Sequence, residues 1–394
     1  MRKTVKVPKH GFPAAELAHR HERARAAMHA AGLDALIVTT PANIRYFSGF
    51  ETQFWESPTR PWYLIVPRQG EKIAVFPSVG APALLATTPV SDVRTWSSPN
   101  PKDDGISLMA KTLLDLPRKH GKVGWEFGRE MLVRAPRIDI DRMARKARGV
   151  QFTDGAPVIW GLRQIKSEAE IDRIRVACTI ASDAYDEVPG MTRAGDTTRE
   201  AELRLRGMLM EKGADHVPFL ATAAGSGGYD QIIAGPGDRK LKKGDVLFHD
   251  IGCTYDGYFS DFDRNFAVGK ISDVAKRTHE ALWLATEAGM KAARPGKTMQ
   301  DVFHVMAKHL EDAGSIGNNV GRIGHGLGLH LTEPPSFMLG DTTPILAGMV
   351  LTIEPGMEYA PGKMLVHEEN IAIRAAGNEL LTRRAPREMP TLSA

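Results

Sequence analysis

The chain is predicted to be α+β, with a smaller α/β domain over residues 1–157 and a larger C-terminal domain over 158–394 built from two related halves. Three observations carry this. Helix and strand signals alternate through the first part, as in a small α/β domain. A helical segment near residue 200 is echoed near residue 300. Acidic residues and a histidine recur at the ends of apolar runs in both halves of the second part.

In the first part, residues 13–30 have the composition of a helix, and ALIVTT (35–40) reads as a short buried strand. PANIRYFSGF (41–50) reads as a loop punctuated by Pro and Gly. WYLIVP (62–67) and KIAVFP (72–77) read as a hairpin turning at RQGE, and KVGWEF (122–127) as a further strand. The basic run RMARKARG (142–149) reads as the solvated face of a helix.

The second part opens with a capping box, Ser167 followed by Glu170, and predicts a helix over about 168–188. RAGDTTREAELRLRGMLMEKG (193–213) then aligns without a gap on RPGKTMQDVFHVMAKHLEDAG (294–314). Each copy has a Gly turn, a Thr/acid helix start, an amphipathic helix and a Gly stop. Each is followed by strands, 217–224 and 246–252 in one half, 349–355 and 370–374 in the other.

Composition sets outer bounds. At 42% apolar and 25% charged, the chain is an ordinary globular one. A net charge of +4 is mild and gives no nucleic-acid footprint. The two cysteines, Cys178 and Cys253, form neither a disulfide framework nor a zinc spacing, which fits a reducing, cytoplasmic setting. No apolar run reaches membrane-spanning length, and the basic N-terminus lacks the apolar core of a signal peptide.

Five residues are the candidates for chemistry: Asp250, Asp261, His325, Glu354 and Glu368. They stand in HDIGCTYDGYFSDFDRN (249–265), GHGLGLHLTEPP (324–335), IEPG (353–356) and HEEN (367–370). The eleven-residue step from Asp250 to Asp261 contains a turn centred on Gly257, so strand, turn and return strand can bring the two carboxylates face to face. His325 is flanked by glycines, which let backbone approach a site closely. A carboxylate at the end of a buried strand, as at Glu354, is costly unless paired or metal-bound. Four carboxylates and one imidazole suit a pair of hard divalent cations, with some carboxylates bridging. His249 alternates away from Asp250 on the strand and is set aside.

In this order, the five residues resemble the ligand set of the creatinase, prolidase and methionine aminopeptidase superfamily, the pita-bread fold. PANIRYFSGF looks like the signature loop of its creatinase-type N-terminal domain, and LRQIKSEAEI like the entry to its catalytic domain. Creatinase shares the fold without metals, so the intact set places the chain with the metal-dependent, Xaa-Pro peptidase-like branch. The resemblance implies that Asp250 chelates one metal, that Asp261 and Glu368 bridge two, and that His325 and Glu354 complete the other. It implies hydrolysis by a metal-bridging hydroxide, with Glu354 taking and returning the proton. The oxygen-rich set favours Mn2+, with Co2+, Zn2+ and Fe2+ as alternatives.

Two departures bear on substrate. The histidine expected seven residues after the ligand histidine is Thr332 here, and the expected upstream histidine is absent from 217–248. If the segment is extended, His330 and Thr332 share a face, so His330 is the candidate substitute. In related dimers the small domain of one subunit covers the partner's site. That makes Trp55 and Arg60, within FETQFWESPTRPWY (50–63), candidate contacts for a substrate carboxylate; packing at the dimer interface is the other reading of Trp55. The Gly-rich AAGSGGYD (223–230) lacks the Lys-Ser/Thr of a phosphate loop. The leading expectation is thus a homodimeric two-metal peptidase, an aminopeptidase or dipeptidase of the Xaa-Pro type acting on small peptides. The alternative is a metal-dependent hydrolase or lyase acting on a C–N bond of a small non-peptide metabolite. An inert binding protein would not require the five-residue set.

Overall fold

The computed structural model describes residues 6–57, 60–317 and 321–394. It divides into two compact units, His10–Arg163 and Gln164–Ala394, the latter joined by the described residues up to Lys9.

The N-terminal unit is a six-stranded sheet in the order Asp92–Trp96, Ile73–Pro77, Tyr63–Pro67, Ala35–Val38, Lys122–Trp125, Gln151–Asp154. Tyr63–Pro67 and Ile73–Pro77 form the expected antiparallel hairpin. The helix Arg137–Lys146 buries Ile140 and Met143 and leaves Arg145 and Lys146 exposed, as its basic run requires.

PANIRYFSGF is not a loop: Pro41–Ser48 is a helix. The residues that punctuate the segment are its terminators. Pro41 occupies the first turn, where no N–H is needed, and Gly49 closes the helix at φ 78.

The C-terminal unit repeats one plan twice. In each half a long helix (Glu168–Tyr185; Asp273–Ala292) precedes a Gly turn, a capped 14-residue helix (Thr198–Glu211; Met299–Asp312) and a mainly antiparallel sheet. Both 14-residue helices start with a full capping box, Thr197/Glu200 and Thr298/Asp301. Gly195 and Gly296 before them, and Gly213 and Gly314 after them, all have φ between 84 and 101, so the echo in sequence is an echo in backbone. The first sheet runs Thr391–Leu392, Phe262–Val268, Asp245–Tyr255, His216–Ser226. The second runs Glu333–Ser336, His325–Gly326, Val350–Ile353, Glu369–Arg374, Gly377–Leu380. Each half has its own apolar core, with Leu205, Leu247, Ile251 and Phe262 in one, and Val302, Met306, Leu351 and Ile371 in the other. No described helix is long and apolar enough to cross a membrane.

Candidate metal centre

The first half supplies its carboxylates from a hairpin. Asp250 lies in the middle of the wholly buried strand Asp245–Tyr255, not at its end as the apolar run VLFHD suggests. The strand continues through IGCTY because both its faces are covered, so polar residues fall inside it. Asp256 and Gly257, both at positive φ, turn the chain, and it returns past Asp261 into Phe262–Val268. Asp261 is pinned by Asn370 from the other half: its N–H donates to Asn370 Oδ1 at 3.0 Å, and the Asn370 amide donates back to its carbonyl. Tyr185 ties the same two strands, donating to the carbonyls of His249 and Phe262. His249 faces the other way, to Thr222 Oγ1 at 2.9 Å.

The second half supplies His325, Glu354 and Glu368. His325 opens a two-residue strand, and its N–H donates to Thr352 Oγ1. Gly324 has to be glycine here: at φ 128, a Cβ would stand 2.3 Å from the Thr352 carbonyl oxygen. His325 Nδ1 lies 2.8 Å from the Gly326 carbonyl, which can only accept, so Nδ1 carries the proton and Nε2 presents its lone pair. A ring nitrogen tied to a carbonyl behind a bare Nε2 is the usual arrangement of a metal-binding histidine. Glu354 follows the strand Val350–Ile353, and Glu368 sits in the link between Lys363–Val366 and Glu369–Arg374.

The five residues converge. Asp261, His325 and Glu368 each bring a donor atom to within 4.8 Å of the others. His325 Nε2 is 3.4 Å from Asp261 Oδ2 and 3.9 Å from Glu354 Oε2. Burial pushes Asp250, Asp261 and Glu368 well above the usual carboxylate range, and their mutual repulsion adds to it. Burial raises Glu354 to about 7, against the charge of Arg322, and lowers His325 to about 4. Asp250 Oδ1 and Glu368 Oε1 are buried without a hydrogen-bond partner among the described residues. Carboxyl oxygens gathered out of water around a neutral imidazole, with acceptors left over, fit a hard divalent cation.

Sequence reasoning passed over three residues. Asp263 lies two residues beyond Asp261, the spacing that returns a strand residue to the same face. Arg322, half-buried and three residues before His325, bears by its charge on Asp261, His325 and Glu354; no motif marked it. Asn370 was read only as part of an apolar strand.

His330 and Thr332 lie on a bend and not on an extended segment, so strand alternation does not put them on one face. The bend is fixed by Glu333, which accepts from His330 N–H at 3.1 Å and pairs with Lys166 Nζ at 3.1 Å, both side chains almost wholly buried. Trp55 and Arg60 belong to the N-terminal unit; Pro58 and Thr59 of the same segment lie outside the described residues. Trp55 packs on Phe50 and Trp62, and the Arg134 guanidinium lies over its ring while donating to the Arg60 carbonyl.

Two related halves that pool buried carboxylates and one histidine define a metal-dependent enzyme. Residues 172–375 match the model of metallopeptidase family M24, and residues 20–165 that of the creatinase/prolidase N-terminal domain. The chain belongs to metallopeptidase family M24. It is 30% identical over 353 residues to an uncharacterized peptidase of Staphylococcus saprophyticus, covering 89% of this chain and 95% of that one. It is 29% identical over 382 residues to the probable dipeptidase PepE of Mycobacterium tuberculosis, covering 96% and 97%. Among solved structures it is similar to dipeptidase PepE from Mycobacterium ulcerans, with TM-score 0.83, 29% identity and coverage of 98% and 100%. It is also similar to a prolidase from Thermococcus sibiricus, with TM-score 0.84, 26% identity and coverage of 97% and 100%.

Proposed function

We propose that the chain is a two-metal peptidase that hydrolyses dipeptides and other short peptides, Xaa-Pro bonds among them. Asp250, Asp261, His325, Glu354 and Glu368 would hold the metals, with Mn2+ the ion best suited to so oxygen-rich a set. The convergence of Asp261, His325 and Glu368 within 4.8 Å carries this reading. Divalent cations, when bound, supply Lewis acidity toward the scissile carbonyl and make water acidic enough to react at neutral pH.

The protein's own groups do the rest. Gly326 holds the His325 ring so that Nε2, and not Nδ1, faces the site. Asn370 fixes the Asp261 backbone from the opposite half. Glu354, at 16% side-chain exposure, is more open than the 4–5% of His325 and Asp261 and so can meet a substrate. Its carboxyl is the group placed to take a proton and return it to the leaving nitrogen. Arg322 makes no hydrogen bond or ion pair among the described residues, and lines a cleft of about 270 Å³ with Ile323 and Gly356. A guanidinium there suits the C-terminal carboxylate of a short peptide. The relatives named dipeptidase and prolidase support the same substrate class.

The chain would act as a homodimer, with Trp55 and Arg60 of one subunit's small domain completing the other's site. Metal-stripped protein reloaded with Mn2+, Co2+, Zn2+ or Fe2+ should cleave Xaa-Pro dipeptides in preference to longer peptides. Asp261→Ala and Glu368→Ala should each lose metal and nearly all turnover. Full metal content with normal turnover in either variant would overturn the assignment. Mixing a metal-ligand variant with an Arg60→Ala variant should restore part of the activity; a fully active monomer by light scattering would rule out the shared site.

A further inference from the structure

The five residues of the resemblance leave one buried carboxylate unexplained. Asp263 is 1% exposed, and neither of its carboxylate oxygens has a hydrogen-bond partner among the described residues. The neighbouring Arg264 does not serve it. That guanidinium donates to the carbonyls of Asp263, Glu368 and Arg383 and to the Glu369 carboxylate.

This is not how the protein treats its other buried acids. Glu126 accepts from the N–H and hydroxyl groups of Thr39 and Thr40 and from the Asn43 amide. Glu369 accepts from Arg264, Arg384 and Ala385 N–H. Glu333 has Lys166 and the His330 N–H. Among the described residues, buried carboxylate oxygens lacking any partner occur at Asp250, Asp263 and Glu368 only. Two of those three are already assigned to the metal centre.

Register places the third with them. Asp263 pairs directly with Asp250 across the antiparallel strands Phe262–Val268 and Asp245–Tyr255. Cross-strand partners present their side chains on one face of a sheet. Asp261 stands two residues earlier on the same chain run, and alternation returns it to that face too. Phe262 and Arg264 take the opposite face, where both pack with Tyr185. Asp250, Asp261 and Asp263 therefore form one acidic face, and a buried carboxylate so placed needs a proton or a cation to balance it.

We propose that Asp263 is a sixth donor of the metal centre, adding a carboxylate beside Asp250 and biasing the site toward hard, oxygen-seeking ions such as Mn2+ over Zn2+. This rests on the divalent-metal reading above, and the test separates the two. Metal-stripped wild type, Asp263→Asn and Asp261→Ala are titrated with Mn2+ and with Zn2+. Asp263→Asn should weaken Mn2+ binding at least about tenfold and Zn2+ binding less, and should change the visible spectrum of the Co2+-loaded protein.

If Asp261→Ala abolishes binding while Asp263→Asn binds Mn2+ as wild type does, the sixth donor is wrong and the metal site stands. An unchanged Co2+ spectrum also overturns the donor role. If Asp261→Ala itself binds metal normally, the metal reading fails with it.

Discussion

Replacing Asn370 by alanine tests whether the two halves of the C-terminal unit cooperate to place a ligand. The Asn370 side chain accepts from Asp261 N–H at 3.0 Å and donates to the Asp261 carbonyl. Both residues are fully or almost fully buried, so no water from solvent replaces the lost partners readily. Each buried backbone group left unsatisfied costs about 1–3 kcal/mol, giving about 2–6 kcal/mol for the pair. That is a large share of the ~5–15 kcal/mol by which a domain is stable. It should appear as a lower urea midpoint in the metal-stripped protein. Because the lost bonds hold the backbone of a proposed bridging ligand, metal affinity should fall as well, by tenfold for each ~1.4 kcal/mol of positioning lost. Asn370→Asp should be at least as damaging. It keeps the acceptor but turns a carboxylate oxygen toward the Asp261 carbonyl. An Asn370→Ala protein with the wild-type urea midpoint and wild-type metal affinity would refute the reasoning.

Three further outcomes are expected. Lys166→Met removes the buried cation that faces Glu333 and should cost about 3–5 kcal/mol in urea unfolding, most of it recovered in the Lys166→Met/Glu333→Gln double variant; additive losses would show that the pair is not the cause. Metal-stripped protein should lose stability as pH rises above about 6.5. Carboxyls raised by burial, Glu354 to about 7 and Asp250, Asp261 and Glu368 higher, then bind more protons folded than unfolded. The buried imidazoles, His325 and His279 at about 4 and His249 at about 3, pull the other way only below their unfolded value near 6.5. Melting in EDTA at pH 6.5 and pH 8.5 checks this, and a higher melting temperature at pH 8.5 would contradict it. His330→Ala should lower turnover by about 10²-fold with metal content unchanged, and Thr332→His should raise activity on Xaa-Pro dipeptides; a silent His330→Ala, with Thr332→His abolishing an activity on a non-peptide substrate, would point to a pocket built for something else.

The legible parts of this molecule are those where one residue type has one local job. Ser167, Thr197 and Thr298 announce helix starts because each is followed by an acid three positions on, and all three boxes form. The ligand candidates were legible as a set because charged groups interrupt apolar strands, which is costly without a purpose. Position within a strand was less legible. Asp250 is central because the cover on both faces of its strand comes from helices and loops far away in sequence. Pro41 and Gly49 signalled a break, and the same two residues equally suit the ends of a short helix. Asp263 and Asn370 were missed for a shared reason. Each acts through a partner on another strand, 13 residues away for Asp263 with Asp250 and 109 for Asn370 with Asp261.

The repeated plan of the C-terminal unit has a mechanical consequence. Asp250, Asp261 and Asp263 come from one repeat, and His325, Glu354 and Glu368 from the other. Without cations the acidic groups of the two repeats crowd one seam, which stays closed only while they hold protons, and each proton lost presses it open. A bound cation reverses that pressure and becomes a cross-link between segments some sixty residues or more apart in the chain. Occupancy would then be reported by the whole unit as well as by the pocket. Amide hydrogens of Phe262–Val268 and Val350–Ile353, on the two sides of the seam, should gain exchange protection together when metal is added.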